Sequence, residues 1–310
     1  MTERAWILGL DIGGTKTAAV AGTADGQTFD RVAFASRPER GFTPMWRDIV
    51  DAGRGLVARH GQPAAIGVSI GGPMDHARGV ILSPPNLPGW DDIPCRSLLE
   101  EAFGVPVHVE HDARTGALAE WLFGAARGRQ NVIFLTFGTG LGAGLILDGR
   151  LHRGASDNAG DVGHWRIADD GPLVYGKRGS WEGFSSGTGL AALARDRHPD
   201  RFDAEVTAQE VIERARAGDA AAREIVEVSA LHLGRGIALL VDLLNVEVVV
   251  LGSLAVRAGD FYLPTARRIV AEEAQAINAG ACEIVPSALG DRIGDVAALC
   301  AAIYHGSMKP

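Results

Sequence analysis

The chain has 310 residues, 46% of them apolar and 22% charged, with a formal net charge of −8 and no block of basic residues. That length and composition support two domains with real cores, and the acidic balance argues against nucleic acid or an anionic membrane as the main partner. Aromatic residues make up only 6%, which argues against a base-stacking surface for single strands.

In chain order, "ILGLDIGGTKTAAVAG" (residues 7–22) runs from apolar residues to an acid, a glycine pair, Thr15, Lys16 and a second apolar run. It is neither the phosphate loop with four residues between its glycines nor a G-x-G-x-x-G fingerprint. Alone it reads as a β-hairpin with a glycine turn. A third strand is predicted over 28–35, an amphipathic helix over 43–60 and a buried strand over 64–72. A proline-rich loop (83–94), a short helix (96–103), a strand over 105–112 ending in an acid, and a helix over 114–125 follow. The opening pattern then returns in "NVIFLTFGTGLGAGLILDG" (131–149), whose turn carries Gly138, Thr139, Gly140, Gly142 and Gly144. Helices over 207–217, 219–244 and 260–277, strands over 246–253 and 281–286, and a glycine turn leading into a last helix complete the pattern. The final "HGSMKP" reads as an unstructured tail.

Two glycine hairpins, each opening its own half, mark an internal duplication. A tight turn needs one or two glycines. Further ones strip side chains from the turn, so that another group can approach the backbone. Backbone N–H groups exposed in this way hold phosphate without net basic charge. The predicted fold class is α/β, a duplicated actin-like ATPase (ribonuclease H-like) fold with two domains around a nucleotide cleft. The smaller domain is expected over 1–112 plus 292–310 and the larger over 113–291. In this plan Asp11 faces the metal that travels with the triphosphate.

Six motifs, "GLDIGGTK", "GVSIGGP", "VEHDARTGALAE", "FGTGLGAGLILDG", "GDVGH" and "GKRGSWEGFSSG", stand in the order found in the ROK family of bacterial sugar kinases and repressors. The resemblance runs from residue 7 to about 303. It implies an ATP-dependent kinase acting on a hexose or hexosamine, usually a homodimer. By the resemblance, Asp112 is the catalytic base, and a hydroxyl attacking the γ-phosphate needs such an acceptor for its proton. The residues alone also allow Asp112 to cap the helix that follows. Asp11, Gly13, Gly14, Thr15 and Lys16 resemble the first phosphate motif, with Asp11 meeting Mg²⁺ through water. Gly138, Thr139 and Gly140 resemble the second. Gly252 resembles the adenosine-side strand end, though an ordinary strand-ending turn remains open for it, and Ser186 with Gly187 resembles the adjacent loop. On the sugar side stand Gly71, Gly72, His111, Asp112, Asp161, His164 and Glu182. Asn86 reaches the sugar or serves only its own turn. His164 faces the sugar or fills a core gap.

The chain departs from the family in two places. Where the resemblance implies a zinc loop with one His and three Cys, the cysteine positions hold Leu173, Tyr175 and Ser180. Tetrahedral zinc needs four such ligands, so no structural zinc is expected. Packing of Leu173, Tyr175 and Trp181 is expected to anchor the loop instead. Around the sugar, His111 and Arg114 replace asparagines and Asp161 replaces a glutamate, which points to an altered hydroxyl pattern in the substrate.

The expected activity is transfer of the γ-phosphoryl of MgATP to a hexose hydroxyl, foremost the 6-hydroxyl of glucose. N-acetylmannosamine, N-acetylglucosamine, mannose and fructose are alternatives within the class. A catalytically weakened sugar-binding regulator is the alternative outside it. A repressor is not expected, because only six residues precede Ile7. No secretory signal precedes the first strand and no apolar run reaches a membrane span. Cys95, Cys282 and Cys300 make no disulfide framework, and a cytoplasmic homodimer is expected.

Overall fold

The computed structural model describes residues 5–306. The chain divides into two compact units, the first built from 1–123, 153–158 and 291–310, the second from 124–152 and 159–290. Residues 307–310, part of the expected tail, lie outside the described residues. His305, at its start, instead ends the last helix.

The first unit contains β1 (Ile7–Ile12), β2 (Lys16–Gly22), β3 (Thr28–Ala35), α1 (Phe42–His60), β4 (Ala65–Ile70), the short pair β5 (Met74–Asp75) and β6 (Val80–Ile81), α2 (Cys95–Phe103), β7 (Val107–His111) and α3 (Asp112–Phe123). Its five-stranded sheet has the order β3-β2-β1-β4-β7. The first three strands form an antiparallel meander, while β1, β4 and β7 run parallel. Strands β1 and β4 read as almost unbroken apolar runs because both their faces are covered, whereas β3 alternates as an edge strand does. Met45, Ile49 and Leu56 of α1 and Leu99 of α2 pack with the apolar residues of β1 and β4. The last helix, Ile293–His305, packs on β1, β4 and α3. It approaches so closely that a Cβ on Gly67 would stand 2.1 Å from the Ala298 carbonyl oxygen, so the two strand glycines, Gly9 and Gly67, are what seat this alanine-rich helix.

The second unit repeats the plan. Its elements are β8 (Val132–Leu135), β9 (Ala143–Leu147), β10 (Arg150–His152), the small hairpin β11 (Leu173–Val174) and β12 (Lys177–Arg178), α4 (Trp181–Phe184), α5 (Gly187–Arg197), α6 (Ala208–Arg216), α7 (Ala220–Leu244), β13 (Val248–Leu251), α8 (Ser253–Glu273), α9 (Ala276–Ala281) and β14 (Glu283–Pro286). The sheet order β10-β9-β8-β13-β14 matches that of the first unit strand for strand. Again a meander is followed by parallel pairs. This is the predicted duplicated α/β fold. Asp219 caps α7 by accepting the Ala221 and Ala222 N–H groups, and Asn245 ends it in the left-handed region. The chain's final helix is α10 (Ile293–His305).

Several boundaries differ from expectation. The helix expected at 260–277 starts at Ser253, directly after the strand, and continues past a local break at Ala258 and past Pro264. Gly259 and Pro264 blurred its apolar period in the sequence. Asp112 does not end the strand; it opens α3.

Candidate active site

In the first unit the parallel register places Ile12, Ile70 and His111 in one row. The residues just beyond, at the carboxyl ends of the strands, therefore share one edge of the sheet. That edge is where open α/β sheets take their ligands. It carries Gly13, Gly14, Gly71, Gly72 and Asp112, with Asp11 one residue inside.

Asp11 is partly buried, and its carboxyl is pushed up to about 7 by desolvation, then by the charges of Asp112 and Asp295, against Arg31 and Lys16. Gly294 at the head of α10 makes room for it, since a Cβ there would lie 2.3 Å from Asp11 Oδ2. A carboxyl destabilised by two neighbouring acids is a fitting ligand for a divalent cation, which removes the repulsion. The Gly13–N–H donates to the Lys16 carbonyl at 3.2 Å, and the Gly13 carbonyl accepts from Ser36 Oγ at 2.5 Å. Gly14 makes room for Asn86, whose carbonyl oxygen would stand 2.8 Å from an added Cβ. Thr15 and Lys16 are exposed at the start of β2.

The side chain of Asp112 is 49% exposed, and its Oδ1 lies 3.1 Å from Nδ1 of His111. It also accepts the Ala113 N–H at 2.6 Å, as an acid at a helix start does. Gly71 keeps the neighbourhood of Asp112 open, and Gly72 is needed because a Cβ would meet the His111 ring at 2.7 Å. Arg114, expected near the sugar, instead extends its Nε to Glu110 at 3.0 Å, both residues being buried. Glu110 is fully buried, donates nothing and accepts from the His111 N–H, Arg153 and His305 as well. Burial pushes its carboxyl up, but the His305 hydrogen bond and then the Arg114 and Arg153 guanidinium groups overrule it and hold it at about 2.

In the second unit, the turn after β8 carries Gly138, Thr139 and Gly140. The Gly187 N–H donates to the Gly138 carbonyl at 2.7 Å, and Thr188 donates to the Thr139 carbonyl from both its N–H and its hydroxyl. Gly252 lies beside the same strand end and donates to the Leu135 carbonyl; a Cβ there would stand 2.3 Å from the Thr136 carbonyl oxygen. Gly138, Thr139, Gly187 and Gly252 are thus brought together. Ser186 is fully buried and its hydroxyl is committed to capping α5, accepting from Gly189 N–H and donating to the Glu182 carbonyl.

Glu182 is largely buried, and its Oε2 accepts the Leu141 N–H at 2.8 Å. This brace on the second glycine turn was not foreseen from the sequence, which placed Glu182 on the sugar side only. His164 is exposed and ends a short turn whose first carbonyl, that of Asp161, accepts its N–H. The His164 ring stacks on Tyr175, with centroids 4.2 Å apart and planes at 18°. His164 therefore fills no core gap. Leu173 corrects the expected anchoring: it is 63% exposed and packs nothing down. Trp181 is fully buried, stacks on Trp165 at 5.9 Å and requires Gly236 beneath it. The zinc that the family resemblance implies does not fit these residues. Leu173 offers no donor, Tyr175 no soft one, and the Ser180 hydroxyl is occupied accepting the Gly183 N–H as the cap of α4.

The ROK family profile matches residues 7–303. A glucokinase of Halalkalibacterium halodurans is 32% identical over 279 residues, spanning 85% of this chain and 84% of its own. A xylose repressor of Caldicellulosiruptor bescii is 34% identical over 215 residues; the match spans 66% of this chain and about half, 54%, of the repressor. Among solved structures, a ROK hexokinase from Thermus thermophilus superposes with a TM-score of 0.79 at 33% identity, over 96% of this chain and 97% of that one. A ROK family glucokinase from Streptomyces griseus, in complex with glucose and AMPPNP, gives 0.80 at 29% identity over 95% and 98%. Among the described residues, no helix is long and apolar enough to cross a membrane.

Proposed function

The chain belongs to the ROK family, and from that premise we propose that it is an ATP-dependent sugar kinase. The reaction moves the γ-phosphoryl of MgATP to a hexose hydroxyl, with the 6-hydroxyl of glucose foremost and N-acetylhexosamines or fructose next. Asp112 takes the hydroxyl proton as the sugar oxygen bonds to phosphorus and the bond to ADP breaks. Asp11 faces the magnesium of the nucleotide, which neutralises charge on the phosphates. The turn of Gly13, Gly14, Thr15 and Lys16 and that of Gly138, Thr139 and Gly140 offer backbone N–H groups to phosphate. Gly187 and Gly252 line the nucleotide side. Gly71, Gly72, Asn86, His111, Asp161, His164 and Glu182 serve the sugar.

The observation that carries this reading is the state of Asp112. It stands at the ligand edge of the sheet, half-exposed, while the neighbouring Glu110 takes the arginines. An acid left open beside a glycine is suited to receive a proton; one locked by guanidinium is not. A coupled ADP-release assay over hexoses, hexosamines and polyols tests it. Turnover with at least one sugar is expected, and Asp112→Asn is expected to lower kcat by about a thousandfold or more while nucleotide still binds. Wild-type turnover in the Asn variant would remove Asp112 from this role. The likeness to a xylose repressor supports one second reading, a sugar-responsive regulator. Sugar binding without turnover would favour it. A cytoplasmic homodimer is proposed for the assembly.

A further inference from the structure

Tyr175 and Gly176 form the two-residue turn between β11 and β12, and both have positive φ, 54° and 70°. Such turns favour Asn, Asp or Gly at both positions, because a larger side chain is strained there. A tyrosine in this place is held by something beyond the turn itself. Its two ends make separate contacts. The ring stacks on the His164 imidazole, and the hydroxyl lies close enough to the Glu182 carboxylate to feel its charge. From the same hairpin, Lys177 Nζ donates to the His164 carbonyl. Glu182 in turn accepts the Leu141 N–H of the second glycine turn. Imidazole, phenol, carboxylate and turn amide therefore neighbour one another in turn. Desolvation and then the neighbouring Glu182 carboxylate raise the Tyr175 hydroxyl above the ordinary phenol range, so it keeps its proton.

We propose that Tyr175 is a positioning residue that fixes the His164 ring and the Glu182 carboxylate in a single geometry, by stacking on one and donating to the other. It performs with organic contacts the orienting task for which this loop has no metal ligands. The proposal rests on the sugar-kinase reading in assigning His164 and Glu182 to the sugar. A carboxylate has about four acceptor sites; with two taken by Tyr175 and Leu141, Glu182 retains capacity for a sugar hydroxyl in a direction the tyrosine sets.

The test compares wild type with Tyr175→Phe and Tyr175→Ala. Phe keeps the stack and loses the bond; Ala loses both. The expected result is a graded rise in sugar KM, roughly tenfold or more for Tyr175→Ala and smaller for Tyr175→Phe. The KM for ATP should stay within about threefold and Tm within roughly 3 °C, since the side chain is half-exposed. Unchanged sugar KM in Tyr175→Ala would overturn the proposal, as would sugar and ATP KM rising together with a fall in Tm. A wild type that phosphorylates no sugar removes the kinase reading alone. Calorimetric affinities for glucose, N-acetylmannosamine and fructose then decide Tyr175 by the same graded comparison, and a wild type that binds none of them overturns its role too.

Discussion

Nδ1 of His111 lies 3.1 Å from Oδ1 of Asp112, and both atoms face the same Ala113 N–H. In the proposed role of Asp112, the carboxyl that receives the sugar's proton can donate its O–H to the neighbouring ring nitrogen. His111→Asn removes one member of the pair. We expect it to retain activity with kcat lowered by roughly tenfold, the size of one lost hydrogen bond. An unchanged kcat would show that the imidazole takes no part.

Asp11 titrates at about 7 in the ligand-free fold against an ordinary 3.8. A raised carboxyl favours the protonated folded state, so its contribution to stability declines as pH rises from 3.8 through 7 and is flat above. Asp11→Asn is therefore expected to be more stable than wild type at pH 8, by about 2 kcal/mol after allowance for partial exposure, and equal to it near pH 4. The same variant should lose the rise in Tm that MgAMPPNP gives the wild type. Thermal scans at the two pH values, with and without nucleotide, check both halves.

Glu110 shifts the other way, from 4.5 to about 2. A depressed carboxyl contributes stability that is complete above 4.5 and lost as pH falls from 4.5 through 2. The size is about 3 kcal/mol. Glu110→Gln should be less stable than wild type at pH 7, because Arg114 and Arg153 then face no anion. The gap between the two urea midpoints should close on approach to pH 2. A constant gap across that range would assign the effect to packing alone.

Two helical glycines should respond oppositely to alanine. In α1, a Cβ on Gly55 meets nothing nearer than Arg59 Nη1 at 3.7 Å, and Gly55→Ala should stabilise by up to about 1 kcal/mol. In α7, a Cβ on Gly236 would stand 2.1 Å from the Trp181 ring, which is fully buried. Gly236→Ala should destabilise by about 3 kcal/mol or more, as overpacking against a rigid neighbour does. Chemical denaturation of the two variants measures the contrast.

The sequence pattern carried the architecture because each half repeats the same strand order and the strands are covered on both faces. "ILGLDI" and "VVVL" read as buried strands without any partner in view. The glycine hairpins were legible for the same reason. Helix α8 was misplaced because Gly259 and Pro264 interrupt its period without ending it. The reasons for individual glycines were not legible either. Gly14 makes room for Asn86 and Gly294 for Asp11, relationships made by chain segments far apart in sequence. Tyr175 was visible as a missing cysteine and as an expected packing anchor, but not as a partner of the site. Its partners, His164 and Glu182, become meaningful only once the hairpin turns it back upon them. Arg114 illustrates the converse: its motif position pointed toward substrate, and the i to i+4 spacing with Glu110 across the strand–helix junction decided otherwise.

The seating of α10 on Gly9 and Gly67 bears on how the polypeptide is made. Strands β1 and β4 leave the ribosome early, yet the helix that covers their glycine-lined face is synthesised only after the second unit. The first unit therefore waits, with one side of its sheet bare, through translation of the entire second unit. Truncation before residue 291 would leave that side permanently uncovered, and nascent chains of that length should be clients for chaperones.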